Sequence, residues 1–327
     1  MKGVLAMTLL AVTFGWPAVR AQSPSDAAAN FPSKAIRWIM PFPPGGPSDA
    51  VARIVGQRLS ERLKQPVLVD NRAGASGNIG MEAAARATPD GYTIVFGAPG
   101  SVVINSILYK LNFDALTDLT PVSRLTTFAF VLIANPEFPA RSVPELLATA
   151  KAKPGTVTCG YGAALQQLAC EFLKMYGRVD LNTIPYKGGA PAMNDLVAGQ
   201  INFMFEVPNV AIPQVRANRV RAIATTNSNA GTGPFGHLPS VNETLPGFEV
   251  ESWFGVLAPR ATPREIILRL NREFGAVLPE EDVRKRLVDA GLEPVHGSPE
   301  AFAEIMRRDH AKYSKMIRDA GIKAEGS

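Results

Sequence analysis

Ile36-Arg-Trp-Ile-Met-Pro-Phe-Pro-Pro-Gly-Gly-Pro-Ser-Asp49 is the stretch on which the fold turns. Its first five residues are mostly apolar and too few for a helix, so 36–40 reads as a short buried strand. Pro and Gly dominate 41–47, which predicts a loop. From Ser48 the period changes. Val51, Ile54, Val55, Leu59 and Leu63 share one face of a helix with 3.6 residues per turn. Strand, Pro/Gly loop and helix in that order form the unit of an α/β fold, and the unit recurs outward from here. Strands are predicted at 67–69, 92–96, 130–134, 157–161, 201–205 and 221–225, and residues 253–257 are apolar again. Helices are predicted at 165–176, at 191–198 closed by Gly199, and at 299–320. Ser142-Val143-Pro144-Glu145 and Thr262-Pro263-Arg264-Glu265 read as capping boxes opening two more helices, the second with Pro at its first position. Residues 227–240 read as a loop. This alternation predicts an α/β protein with mostly parallel sheets. Ligands of such sheets bind beyond the carboxyl ends of the strands.

The ends and the composition narrow the setting. Met1 and Lys2 precede a charge-free apolar stretch, and Val19-Arg20-Ala21 places small residues before Gln22. That is the order of a cleaved secretory signal peptide over 1–21, with an uncleaved anchor as the other reading. No cysteine follows the cut, which argues against a lipoprotein anchor. A linker at 22–30 follows. The chain of 327 residues is 46% hydrophobic and 19% charged, enough apolar material for about two domains. Its net charge is +5, and Lys2 and Arg20 leave with the signal, so the mature value is +3. The basic residues are dispersed, which excludes the clustered face of a nucleic-acid binder.

Catalytic motifs are missing from the sequence. There is no Gly-x-Ser-x-Gly elbow, His-Glu-x-x-His, Walker loop or Cys-x-x-Cys. His237, His296 and His310 are isolated from one another, so no metal and no cofactor is predicted. Cys159 and Cys170 read either as a disulfide or as two buried thiols. The loops say more. Residues 41–49 join a strand to a helix, a junction that aims free backbone N–H groups and the positive end of the helix dipole at one point. A carboxylate suits such a point, and so does no ligand at all. Gly97-Ala98-Pro99-Gly100-Ser101 and Tyr161-Gly162-Ala163-Ala164 are two more small-residue loops after strands. Three of them point to a shared cleft. Gly74, Gly77 and Gly80 have the wrong spacing for a dinucleotide fingerprint and read as a tight turn.

Several segments together resemble a known family. They are Phe31-Pro-Ser-Lys-Ala-Ile-Arg37, residues 41–49, Asn71-Arg-Ala-Gly-Ala-Ser-Gly-Asn-Ile-Gly80, Pro89-Asp-Gly-Tyr92, Pro185-Tyr-Lys-Gly188, Trp253-Phe-Gly-Val-Leu-Ala-Pro259 and Ala320-Gly-Ile322. In this order, and collinear from 31 to about 323, they resemble the Bug-type extracytoplasmic binding proteins of tripartite tricarboxylate transporters. The resemblance implies a type II periplasmic-binding fold: two α/β domains, a ligand cleft between them and two chain crossovers. Domain I would hold 31–125 plus 227–327, and domain II 126–226. It implies a periplasmic, monomeric, non-enzymatic protein. Such a protein captures a small carboxylate by hinge closure and presents it to membrane permease subunits.

Carried onto this sequence, the resemblance assigns ligand contacts to Phe42, Gly45, Gly46 and Ser48, with the N–H groups of the last three aimed at one carboxylate. Asp49 is expected to cap its helix. The second loop adds Ala98, Gly100, Ser101 and Asn105. The middle of the chain adds Tyr186, Lys187, Gly188 and Glu206, the last where Asp is common. The third loop departs from the family pattern. After Ala163, which is also assigned to the site, Ala164 and Leu165 stand where hydroxyls are common, and Gln167 stands where His is common. Ala and Leu cannot hydrogen-bond a second carboxylate, so the departure predicts a ligand with an apolar or aromatic body. Two rival readings remain: a sensory protein presenting the same ligand to a receptor, and an exported hydrolase.

Overall fold

The computed structural model describes residues 30–227 and 233–322. The predicted signal peptide, and the linker except Asn30, lie outside them. Two mixed sheets organise the chain. The first uses β1 (Ile36–Met40), β2 (Val67–Asn71), β3 (Thr93–Gly97), β4 (Leu119–Ala129), β10 (Glu251–Pro259) and β11 (Glu293–Pro294), in the order β11-β4-β10-β3-β1-β2. The second uses β5 (Val131–Ala134), β6 (Thr158–Tyr161), β7 (Asn182–Pro185), β8 (Phe203–Glu206) and β9 (Arg221–Thr225), in the order β7-β6-β8-β5-β9. The helices in chain order are α1 (Pro47–Leu63), α2 (Asn78–Ala85), α3 (Asn105–Leu108), α4 (Ala115–Asp118), α5 (Val143–Ala152), α6 (Ala164–Gly177), α7 (Gly189–Val197), α8 (Pro208–Arg216), α9 (Val241–Thr244), α10 (Arg264–Val277), α11 (Glu281–Asp289) and α12 (Pro299–Asp319). A π-helical turn, Gly100–Ile104, leads into α3.

The expectation of mostly parallel sheets needs correction. In each sheet three strands run parallel, β2-β1-β3 and β7-β6-β8. The strands nearest the crossings, β4, β10, β5 and β9, pair antiparallel. The reason is topological: the chain leaves the first sheet by β4, enters the second by β5, and returns from β9 to β10. The two crossings are tied at Thr226, which is buried. Its N–H donates to Phe130 O at 3.0 Å. Its hydroxyl accepts the Phe130 N–H at 2.9 Å and donates to Val250 O at 2.5 Å. Phe128 packs edge-on against Phe130 and at a tilt against Phe254, and Phe248 packs between Phe205 and Tyr176, so the crossings have an apolar filling.

Strand alternation explains the cores. On β8, Phe203 and Phe205 join the large core that runs under the first sheet, while Met204 faces a smaller core with Ile133, Leu196 and Ile212. One predicted cap forms in altered shape. Ser142 accepts the Glu145 N–H, but Glu145 Oε2 takes the N–H of Arg141 rather than of Ser142. The other does not form. Pro263 is the N-cap of α10, and the Thr262 hydroxyl is buried without a partner. A reciprocal capping box occurs at Ser240 and Glu243 instead, at the end of the stretch read as a loop. Cys159 and Cys170 are joined, with Cα atoms 6.1 Å apart, which ties β6 to α6.

Candidate functional site

The parallel trio of each sheet ends at one edge, and helices start there. Met40, Asn71 and Gly97 close β1, β2 and β3; Tyr161, Pro185 and Glu206 close β6, β7 and β8. Helices α1, α2, α6, α7 and α8 follow. Their N-caps are Gly46, Gly77, Ala163, Gly188 and Val207, none of which supplies a side-chain hydrogen bond. Elsewhere Ser142, Ser240 and Ser298 cap α5, α9 and α12, while Pro263 and Glu280 leave α10 and α11 without a side-chain cap. Except in α1, the first turns of these five helices also lack an acidic residue. Uncapped first-turn N–H groups carry partial positive charge, so strand ends of this kind favour an anion. The π-turn 100–104 packs against α6, which brings the second and third loops together.

The first loop is held from behind by Asp49. Its carboxylate accepts the Gly45 N–H (3.0 Å), Arg53 Nε (2.8 Å) and Asn71 Nδ2 (3.1 Å). Burial pushes this carboxyl up, but those donors outweigh it and hold it below its ordinary value. Two expectations are corrected here. Gly45 does not offer its N–H to a ligand, because Asp49 takes it. Asp49 does not cap α1; it closes the turn in front of it. Gly45 has φ 79°, a conformation that favours glycine. Gly46 and Ser48 keep the positions expected of them, at the start of α1. Asn71 Nδ2 also donates to Phe42 O at 3.1 Å.

The glycine turn after β2 packs into this group. A Cβ on Gly77 would stand 3.3 Å from Ser101 Cβ, 3.5 Å from Pro41 O and 3.6 Å from the Phe42 ring. Phe42 and Ser101 therefore meet around it. A Cβ on Gly80 would fall 2.8 Å from Pro41 Cα, so the turn permits close packing rather than dinucleotide binding. Asn105 is fully buried and donates to Ser76 O (3.0 Å) and Asn78 Oδ1 (2.8 Å). Its amide nitrogen braces the two loops, and its Oδ1 is buried with no hydrogen-bond partner among the described residues. Among the described residues, the Ser101 hydroxyl donates to Ala98 O at 3.3 Å and accepts the Ala98 N–H at 3.4 Å. Nothing lies within 4 Å of a Cβ built on Gly100.

On the second sheet, Ala163 is exposed, Ala164 half-buried and Leu165 buried; Leu165 belongs to the large core, and Ala164 and Ala98 each pack against that core. Gln167 is half-buried, and its backbone simply continues the helix. Its neighbour Gln166 is the residue that reaches inward. Gln166 Oε1 accepts the Gly162 N–H at 2.9 Å, and its Nε2 donates to Glu206 Oε1 at 3.2 Å. The sequence reading missed it, although its i,i+4 spacing from Gly162 was the available signal. The Tyr186 hydroxyl donates to Asp195 at 2.8 Å; burial, then Asp195, pushes it up to about 12. Lys187 is exposed. Gly188 has φ 110° and open space beside it. Glu206 is buried at the end of β8. Its Oε1 also accepts the Val207 N–H at 2.7 Å, and burial pushes its carboxyl up to about 7.

Two hollows lie at other places on the surface. One of about 400 Å³ lies behind the crossings, between Thr127, Pro208, Gly291 and Lys312. The other, about 710 Å³, borders β9 near Ile212, Arg221 and Phe235. The first reaches Pro208 at the start of α8, and neither is lined by the loops after β1, β3 or β6. Among the described residues, no group of three or more His, Cys, Asp and Glu could hold a metal ion.

Two sheets joined by paired crossings, with uncapped helix starts gathered at the strand ends of each, define a two-lobed α/β solute-binding protein. Residues 51–322 match the family described as tripartite tricarboxylate transporter family receptor, and the chain belongs to that family. BugT of Bordetella pertussis is 34% identical over 91% of this chain and 92% of its own. Rpa4515 of R. palustris, solved with adipate, superposes with a TM-score of 0.84 at 33% identity, covering 90% of this chain and 99% of its own. MatC of Rhodopseudomonas palustris, solved with malate, gives 0.79 at 29% identity, covering 88% and 100%.

Proposed function

We propose that this protein works in the periplasm, captures a small carboxylate between its two lobes, and delivers it to the membrane permease subunits of a tripartite tricarboxylate transporter. The observation that carries the reading is the set of five uncapped helix starts at the strand ends of the two sheets. Relatives of this fold hold adipate and malate, and both are carboxylates. Gly46, Ser48 and Gly100 would take one carboxylate on the first lobe, and the turn at Ala163, Gly188 and Glu206 would face it from the second. Closure about the tie at Thr226 would exclude water and strengthen each N–H contact to the anion. Ala98, Ala164 and Leu165 would give the cleft apolar rather than hydrogen-bonding side chains, which favours a ligand with a hydrocarbon or aromatic body. No chemical step is assigned: the reading is of a carrier, not an enzyme.

The test is a thermal-shift screen of ligand-free protein against aliphatic and aromatic mono-, di- and tricarboxylates, with amino acids as controls. A ligand at 100 times its Kd stabilises the native state by about 2.7 kcal/mol, a shift of a few degrees at this size. A selective shift with one carboxylate class is the expected result. Uniform silence across the panel would remove the carboxylate reading.

A further inference from the structure

Glu206 is an odd residue for an anion site. It places a carboxyl group where three helix starts of the second lobe gather. Its side chain is 3% exposed. Oε1 is saturated by the Val207 N–H and Gln166 Nε2. Oε2 is buried with no hydrogen-bond partner among the described residues. It points at the first turn of α7, where a Cβ on Gly189 would stand 2.9 Å away. Above it, the Gly188-Gly189 turn is half-buried, and a Cβ on Gly188 would meet nothing within 4 Å.

Among the described residues, no cation balances this group. From α6, Glu171 accepts the Thr183 hydroxyl and pairs with Lys174. From α7, Asp195 accepts the Tyr186 hydroxyl. Tyr161 ends the neighbouring β6, whose Cys159 is bonded to Cys170. β5 carries no ionisable side chain, Arg216 sits at the far end of α8, and Lys187 is exposed. Burial is the largest influence on the Glu206 carboxyl, followed by its two donors, and no charged neighbour contributes. A buried carboxyl without a counter-charge holds its proton more firmly. The proton belongs on Oε2, since Oε1 already accepts two hydrogen bonds.

We propose that Glu206 enters the ligand site as a neutral acid whose Oε2–H is donated to the distal carboxylate of a dicarboxylate ligand, so that capture takes up one proton when the solution is alkaline. This rests on the carboxylate reading above and adds to it a ligand class and a linkage. The proton stays on Glu206 throughout; solvent supplies it on binding and regains it on release. In the ionised form two carboxylates would face each other in a buried place, and binding would be repelled.

The test is calorimetric titration of ligand-free protein with adipate, and separately with malate, at about pH 6 and about pH 8.5, in two buffers of unlike ionisation heat. The inference expects affinity to fall by up to roughly tenfold for each pH unit above about 7, with about one proton taken up at the alkaline pH and almost none at the acidic one. Glu206→Gln, whose amide still donates a hydrogen bond, should bind with affinity flat across this range and no uptake. Gln166→Leu removes a donor that favours the ionised form, and should move the midpoint to higher pH. A melting curve establishes that each variant is folded. Binding without proton uptake, or a pH profile shared by wild type and Glu206→Gln, overturns this inference and leaves the carboxylate reading standing. Silence with both acids at both pH values, together with a silent carboxylate panel, removes both.

Discussion

Gly46 has φ −79°, which any residue can adopt, and a Cβ there would meet only Pro43 O at 3.6 Å. The fold therefore does not need glycine at this position, and an approaching anion does. Gly46→Val should melt within a degree or two of wild type, yet lose roughly 100-fold or more in carboxylate affinity, about 3 kcal/mol, as read by calorimetry. Normal binding by the folded variant would move the site away from this loop. Glu206 gives a residue-scale prediction about stability. Its carboxyl rises from an ordinary 4.5 to about 7 on folding. Between those values the native state holds a proton that the unfolded state has released. The contribution of the neutral group is thus complete below about 4.5, falls as pH rises, and is fully lost above about 7. Glu206→Gln has no such dependence. Its stability relative to wild type should increase between about pH 4.5 and about pH 8 by on the order of 3 kcal/mol, measured by denaturant unfolding. A constant difference would show that Glu206 is ionised throughout.

At the scale of elements, the junction of β6 with α6 is the most tightly specified. Gly162 lies so close to the α7 start that a Cβ would stand 2.2 Å from Gly188 C, a clash with backbone that cannot rotate away. The disulfide from Cys159 to Cys170 closes the same turn, with a sequence separation of 11. Removing it with Cys159→Ala and Cys170→Ala should cost about 2–4 kcal/mol of unfolding free energy, through the greater freedom of the unfolded chain. Weaker carboxylate binding should accompany the loss, because the turn holds Gly162 against Gln166. An unchanged denaturant midpoint would show that the packing of α6 alone secures the junction.

For the whole molecule, the tie at Thr226 joins both crossings through one buried side chain. Thr226→Val keeps the shape but strands the Phe130 N–H and the Val250 carbonyl without that partner. Unsatisfied buried groups of this kind each cost roughly 1–3 kcal/mol. The variant should lower the denaturant midpoint accordingly, and its two lobes should lose cooperativity in hydrogen exchange before either unfolds. If stability is untouched, water or relaxed backbone satisfies those groups and the tie is not mechanical.

The sequence by itself determined much of the local order. Ile36–Met40 and Arg221–Thr225 are strands at the predicted bounds, and α1, α6 and α12 follow their apolar stripes, because burying one face imposes a period that survives in the chain. The uncapped loop beginning at Pro41 was legible for the same reason: Pro and Gly leave few backbone alternatives. Other features are set by partners distant in sequence. β4, written Leu119-Thr-Pro-Val-Ser-Arg-Leu-Thr-Thr-Phe-Ala129, breaks strict alternation because its register against β10 shifts twice. Thr262 matches a capping signature, yet α10 begins on Pro263. Gln166, rather than Gln167, turns toward Glu206, because its amide spans the Gly162 N–H and the Glu206 carboxyl from two distant parts of the chain. Asp49 takes the Gly45 N–H because Arg53 and Asn71 hold its carboxylate in place. Periodicity records which face is buried; only tertiary structure decides which polar atoms are already spent and which remain for a ligand, because that depends on donors and acceptors brought together from distant parts of the chain.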